Sequence, residues 1–140
     1  MEKKTIKQQF HLEYDTSEEL FPLQEWYNEL LDKEVGELTV FDVLRMLRQN
    51  VLPEVALLSA VKWVLEDIYV GDAYDGQLLE ALTRVEDRLL KPYVKVLQEL
   101  LQEAEVLIED HDWSYEGEQE EFGEVMKQLS QKLTKLQDNT

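Results

Sequence analysis

Carboxylates are the side chains whose number and spacing point to chemistry: 31 Asp and Glu stand against 14 Lys and Arg. They crowd most densely in residues 103–124, which hold Glu103, Glu105, Glu109, Asp110, Asp112, Glu116, Glu118, Glu120, Glu121 and Glu124 and no Lys or Arg. Trp113, Tyr115 and Phe122 are interleaved among them. Paired carboxylates can act as general acid and base, but in so acidic a chain such pairs arise by chance. Aromatic anchors inside a charged rim suit a protein-binding hot spot instead. On that reading Glu109, Asp110, Asp112, Trp113, Tyr115, Glu118 and Glu121 are expected to bind a partner. The plainer alternative is a solvated helix–loop–helix junction. A second candidate is the loop from Glu66 to Asp75, where Asp67, Asp72 and Asp75 surround Tyr69 and Tyr74. Tyr69 and Asp72 are expected at its exposed side. Tyr74 is expected to pack, and Gly71 and Gly76 to permit the turn and a close helix approach.

Other chemistries find little support. Asp72 and Asp75 lack the ligand spacing and terminal glutamate of an EF-hand loop. Asp110-His111-Asp112 sends neighbouring side chains in divergent directions if helical, so His111 reads as solvated surface. His11 and His111 are the only histidines, cysteine is absent, and no Gly-rich phosphate loop or nucleophile elbow occurs. The expectation is therefore a protein that is not an enzyme and uses no cofactor or metal. Lys127, Lys132 and Lys135 form the main basic cluster, for which helix-terminal electrostatics is a sufficient cause; no nucleic-acid partner is expected.

A formal net charge of −17 repels nucleic acid and anionic lipid and attracts basic surfaces through a long-range, salt-sensitive field. No window approaches 18 consecutive apolar residues, so no membrane span is expected. The opening MEKKTIKQQFHLEYD has no apolar stretch after its basic residues, unlike a secretory signal. A cytosolic location follows by elimination.

These side chains must be positioned by helices, since no run alternates at period two long enough for a strand. Residues 1–15 carry little periodicity and read as a flexible arm. A single helical domain over 16–140 follows, an all-α bundle or array of about six helices. The first helix starts either from a Thr16–Glu19 capping box or at Pro22. Its stripe is Leu20, Leu23, Tyr27, Leu30 and Leu31, with Trp26 beside it. The second opens at Thr39 with Asp42 favouring its amino end, and ends at Asn50. The third, Pro53 to about Glu66, is apolar nearly all round and should be central. The fourth, capped by Asp75, buries Leu78, Leu79, Leu82, Val85 and Leu89. Pro92 precedes a fifth, with Leu97, Leu100, Leu101, Ala104, Leu107 and Ile108 inward. A sixth runs from about Glu118 to Leu136; the fifth and sixth make up the carboxy-terminal region, 92–140.

The stretch 36–82 resembles the immunity proteins of bacterial contact-dependent growth inhibition systems, small helical proteins made by cells that carry a matching polymorphic toxin. The resemblance rests on Leu38, Thr39 and Asp42, then Gln49 at a helix end, an apolar helix, and the Tyr74-x-Gly76-x-Leu78-Leu79 step. Gln77 departs from the pattern, where glutamate or aspartate is frequent. The resemblance implies an immunity protein that binds a cognate toxin in the cytosol and blocks it. A basic nuclease is the toxin class that −17 would complement. Electrostatic steering followed by occlusion of the active site would be the mechanism. The alternative is an acidic helical adaptor or regulatory scaffold that engages a basic protein.

Overall fold

The computed structural model describes residues 3–138; residues 1–2 of the expected arm and 139–140 of the carboxy-terminal region lie outside them. The six expected helices form, except that the fourth starts from Gly76 and not an Asp75 cap and stops at Leu82, leaving Leu89 in one of two additional single-turn α-helices, with no strand among the described residues. In chain order they are α1 (Ile6–Gln9), α2 (Pro22–Leu31), α3 (Val40–Gln49), α4 (Pro53–Glu66), α5 (Gln77–Leu82), α6 (Asp87–Leu90), α7 (Val94–Glu105) and α8 (Glu118–Asp138).

The boundaries follow from local chemistry. At α3, Thr39 and Asp42 close a reciprocal capping box: the Asp42 N–H donates to Thr39 Oγ1 at 3.1 Å and the Thr39 N–H to Asp42 Oδ2 at 3.1 Å. Asn50 ends the helix in the left-handed region at φ 56°, which asparagine tolerates. Leu52 is also left-handed, at φ 46°; a branched side chain is strained there by roughly 1–2 kcal/mol. Pro53 then starts α4 with its fixed φ. The α2 helix begins at Pro22, with Gln24 Oε1 accepting the Phe21 N–H at 2.8 Å. The Thr16–Glu19 alternative does not form, because Ser17 turns back to Asp15 instead.

As its composition predicts, α4 is central. Val55, Ala56, Leu57, Ser59, Ala60, Val61 and Val64 are buried, and α3, α5 and α7 pack around it. The long α8 lies across α5 and α7 and buries Phe122, Met126, Leu129, Leu133 and Leu136. Two stripes differ from expectation. Trp26 is inside on α2, with the Arg45 guanidinium 4.2 Å from its ring centroid, while Leu23 faces outward. On the carboxy-terminal side α7 stops at Glu105, so Leu107, expected inside, is 58% exposed and Val106 is 77% exposed.

Residues 3–15, for which a flexible arm is the expectation, are seated against α2. Ile6 is fully buried, its N–H donates to the Lys33 carbonyl at 2.7 Å, and Asp15 and Asn28 exchange two hydrogen bonds. One apolar anchor and a few polar clasps leave no periodicity to read.

Asp42 is the one buried carboxylate of α3. Burial pushes its pKa up, but the Thr39 N–H and the Lys33 ammonium at 3.0 Å outweigh this and hold it below the ordinary 3.8. Its stabilising contribution is therefore complete above that value and lost as pH falls through the lower, folded-state pKa. Asp42→Ala should cost about 1–2 kcal/mol in urea unfolding at neutral pH. The difference from wild type should shrink below pH 3.8.

Candidate partner-binding face

The two candidate acidic regions, 66–75 and 103–124, meet on one face of the molecule through contacts that span 36 or more positions in the chain. Their junction is aromatic. The His111 ring stacks on Tyr69, with centroids 3.7 Å apart and planes 18° from parallel. Trp113 meets both edge-on, at 5.6 Å from Tyr69 and 4.5 Å from His111. Phe122 lies 5.1 Å from Tyr69 and 5.4 Å from Trp113. His111 Nε2 also donates to Asp75 Oδ2 at 2.9 Å. Trp113 completes the clasp by donating Nε1–H to the Ile108 carbonyl at 3.0 Å.

Gly76 makes the close approach possible. It caps α5 in the left-handed conformation, φ 82°, and a Cβ there would sit 2.6 Å from Phe122 Cδ2. Both the backbone angle and the lost space exclude a side chain. Before it, the loop is held by Gln77, whose Oε1 accepts the N–H groups of Asp72 at 2.9 Å and Ala73 at 2.8 Å. The position needs an acceptor oxygen, which an acid would supply equally well. Leu78 and Leu79 are fully buried and root α5 in the core.

The other predicted residues sort by contact. Glu109, Asp110 and Asp112 are exposed and form no ion pair among the described residues. The same lack of ion pairs holds for all ten carboxylates of 103–124. Asp72 is exposed as well. Tyr115 is 52% exposed and its hydroxyl donates to Glu121; Tyr74 is 48% exposed and donates to Glu80 at 3.0 Å. Glu118 is buried and accepts the Ser114 N–H at 2.6 Å. Tyr69 and Trp113 are half-buried inside the aromatic cluster, so much of each ring supports the face from within. Asp42 and the exposed Gln49 occupy opposite ends of α3 and join none of these contacts.

Several contributors escape sequence reasoning. His111 reads as solvated surface and Asp75 as a helix cap, yet they pair with each other. Phe122 stands in the sequence among the aromatics of the acidic stretch, yet it is buried and floors the aromatic cluster from within. Val106 and Leu107 are exposed apolar groups in the acidic stretch, because α7 ends one turn early. No local pattern signals a pair 36 residues apart.

The field of the carboxylates marks the tyrosines. Burial and then the charges of Asp67 and Asp75 push Tyr69 up; burial and the bond to Glu80 do so for Tyr74. At Tyr115 the hydrogen bond to Glu121 dominates, ahead of burial and the Glu121 charge, and the phenol is pushed up to about 12. A donated O–H favours the neutral phenol. Glu121→Gln should therefore bring Tyr115 back toward 10.0. Absorbance at the phenolate band across an alkaline titration reads this out, with Tyr115→Phe marking which transition is Tyr115.

Residues 8–100 match the family of CDI immunity proteins, two thirds of the chain. The match widens the 36–82 resemblance at both ends and takes in every helix from α2 to α6 and the first half of α7. It includes the loop bearing Tyr69, Tyr74 and Gly76 and ends before the acidic junction. No curated protein and no solved structure matches the chain. With its helical architecture and a match of that extent, the chain belongs to the CDI immunity proteins, the immunity family of contact-dependent growth inhibition.

Proposed function

We propose that this protein neutralises a cognate toxin in the cytosol by stoichiometric, non-covalent binding, and that the face formed by 69–80 and 106–121 makes the contact. The observation that carries this reading is a set of ten carboxylates in 103–124 with no ion pair among the described residues, in a stretch that also exposes Val106, Leu107 and Tyr115, with exposed Tyr74 near Tyr115. Unpaired like charges destabilise a fold by mutual repulsion. Carrying so many in one place is consistent with a use outside the fold. Apolar and aromatic groups within a charged rim have the anatomy of an interface, a desolvated centre with a polar border.

The net charge of −17 supports a basic toxin, and nucleases are the class of toxin most in need of basic surfaces to hold their substrate. Binding would proceed by steering of the toxin onto the acidic face, followed by occlusion of its active site. No described helix is long and apolar enough to cross a membrane, which accords with such a role.

The triple variant Glu109→Gln, Asp110→Asn, Asp112→Asn removes three exposed charges and no contact seen in the fold. Its association with the toxin should slow by roughly tenfold at low ionic strength, with a flatter salt dependence and a nearly unchanged dissociation rate. Stopped-flow association of the toxin encoded beside this protein's gene measures both. An unchanged on-rate at low salt would rule out the acidic face as the steering surface.

A further inference from the structure

Between α7 and α8 runs an open groove of about 670 Å³. It lies on the far flank of α8 from the acidic face. Glu118, Glu121 and Val125 border Tyr74 and Tyr115 on one side of the helix, whereas Gly123, Met126, Lys127, Ser130 and Thr134 border the groove on the other. Side-chain amides and hydroxyls form its walls, from Gln98, Gln102, Ser130, Gln131 and Thr134, over a floor of Leu101, Ile108 and Met126. Of its described lining residues only Glu105 and Lys127 are charged, in a chain whose residues are 32% charged.

Neutral walls in so acidic a chain offer no field to a basic partner, but they suit a second copy of the chain. Two-fold pairing of identical chains sets each residue near the axis against its own equivalent. A carboxylate or an ammonium there meets its like, whereas an amide or a hydroxyl both donates and accepts and can bond its equivalent. Ser130 stands at the middle of the α8 edge of the groove, which runs from Gly123 to Gln137. Antiparallel pairing of two α8 helices about that point is also matched in charge. Glu124 and Lys135 are exposed and lie at nearly equal distances to either side of Ser130, so each Glu124 falls beside Lys135 of the other copy. Neither has an ion pair among the described residues. Lys135 shares the adjoining hollow along α8 with Ser130, Gln131 and Thr134, so the pairing surface is continuous.

Gly123 is an independent sign. It sits inside α8 without a positive φ, and a Cβ there would meet nothing within 4 Å. Glycine weakens a helix interior relative to alanine, and nothing within the chain requires the missing side chain. A second helix packed closely on α8 does. The charge of −17 opposes association of like chains, but exposed charges are screened within about 8 Å at physiological salt. We propose that the α7–α8 groove is the interface of a two-fold dimer of this chain, with the α8 helices antiparallel about Ser130 and the acidic face of each copy left free. The proposal stands apart from the immunity reading, since it rests on the groove and not on the toxin.

Sedimentation equilibrium of the full chain at physiological salt, from micromolar to millimolar concentration, tests it. A reversible dimer is expected. Ser130→Glu and Ser130→Lys each set like charges on the axis and should weaken dimerisation by roughly tenfold or more. Mixed in equal amounts, the two variants should recover the dimer, because opposite charges then meet. Gly123→Leu should keep its helical circular dichroism and sediment as a monomer, while Glu109→Gln, on the acidic face, should dimerise like the wild type. A wild type that stays monomeric at every concentration, a dimer undiminished by Ser130→Glu, or a mixture of the two Ser130 variants that stays monomeric overturns the proposal.

Discussion

The packing of Phe122 over Gly76, with Tyr69 and His111 stacked beside it, is the contact on which the acidic face depends. It joins the 66–76 loop, rooted in the core by Leu78 and Leu79, to the start of α8. Every element of the contact is restrictive. Gly76 must take a positive φ and must lack a Cβ, and Phe122 fills the space so left. Without it, the acidic segment 109–121 would be a solvated connection between α7 and α8. With it, two separate runs of acid become one surface of fixed shape, which a rigid interface requires.

Electrostatics run against stability across this face. The four Lys and Arg ion pairs among the described residues lie elsewhere or at its border, through Asp42, Glu80, Glu86 and Asp87, and Asp75 is hydrogen-bonded to His111. Part of the repulsion is offset by α8 itself. Its first turn carries Glu118, Glu120 and Glu121 and its last turn Lys135, in accord with the helix dipole. Hydroxyl donation by Tyr115 and Tyr74 offsets a little more and raises both phenols. Stability therefore comes chiefly from the apolar core beneath, where α3, α5 and α7 pack against the buried side of α4 and Leu58 and Leu65 face outward.

Where the physics is local, the sequence was legible. Thr39 with Asp42, Asn50, and Pro53 with the apolar run behind it mark α3 and α4 to the residue, because caps and proline act within a few positions. The concentration of acid in 103–124 was equally plain. What escaped depends on distance or on where a helix stops. Ile6 is one apolar residue whose pocket is made by other elements. Asp75 lies 36 positions from His111 and reads by itself as a cap. Leu107 fits the α7 stripe, and only the early end of that helix turns it outward. Tyr69 and Trp113 were legible as members of the face, but not as its internal supports. The motif residues Leu78, Leu79 and Gly76 prove to be what holds the face in place, while Asp42 and Gln49 lie away from it.

The most direct measurement is hydrogen–deuterium exchange of the protein alone and in complex with its toxin. The account predicts that protection gained on binding is concentrated in 69–80 and 106–121, with α2 and α3 unchanged. Protection confined to α2 and α3, with exchange at 106–121 unaltered, would contradict it.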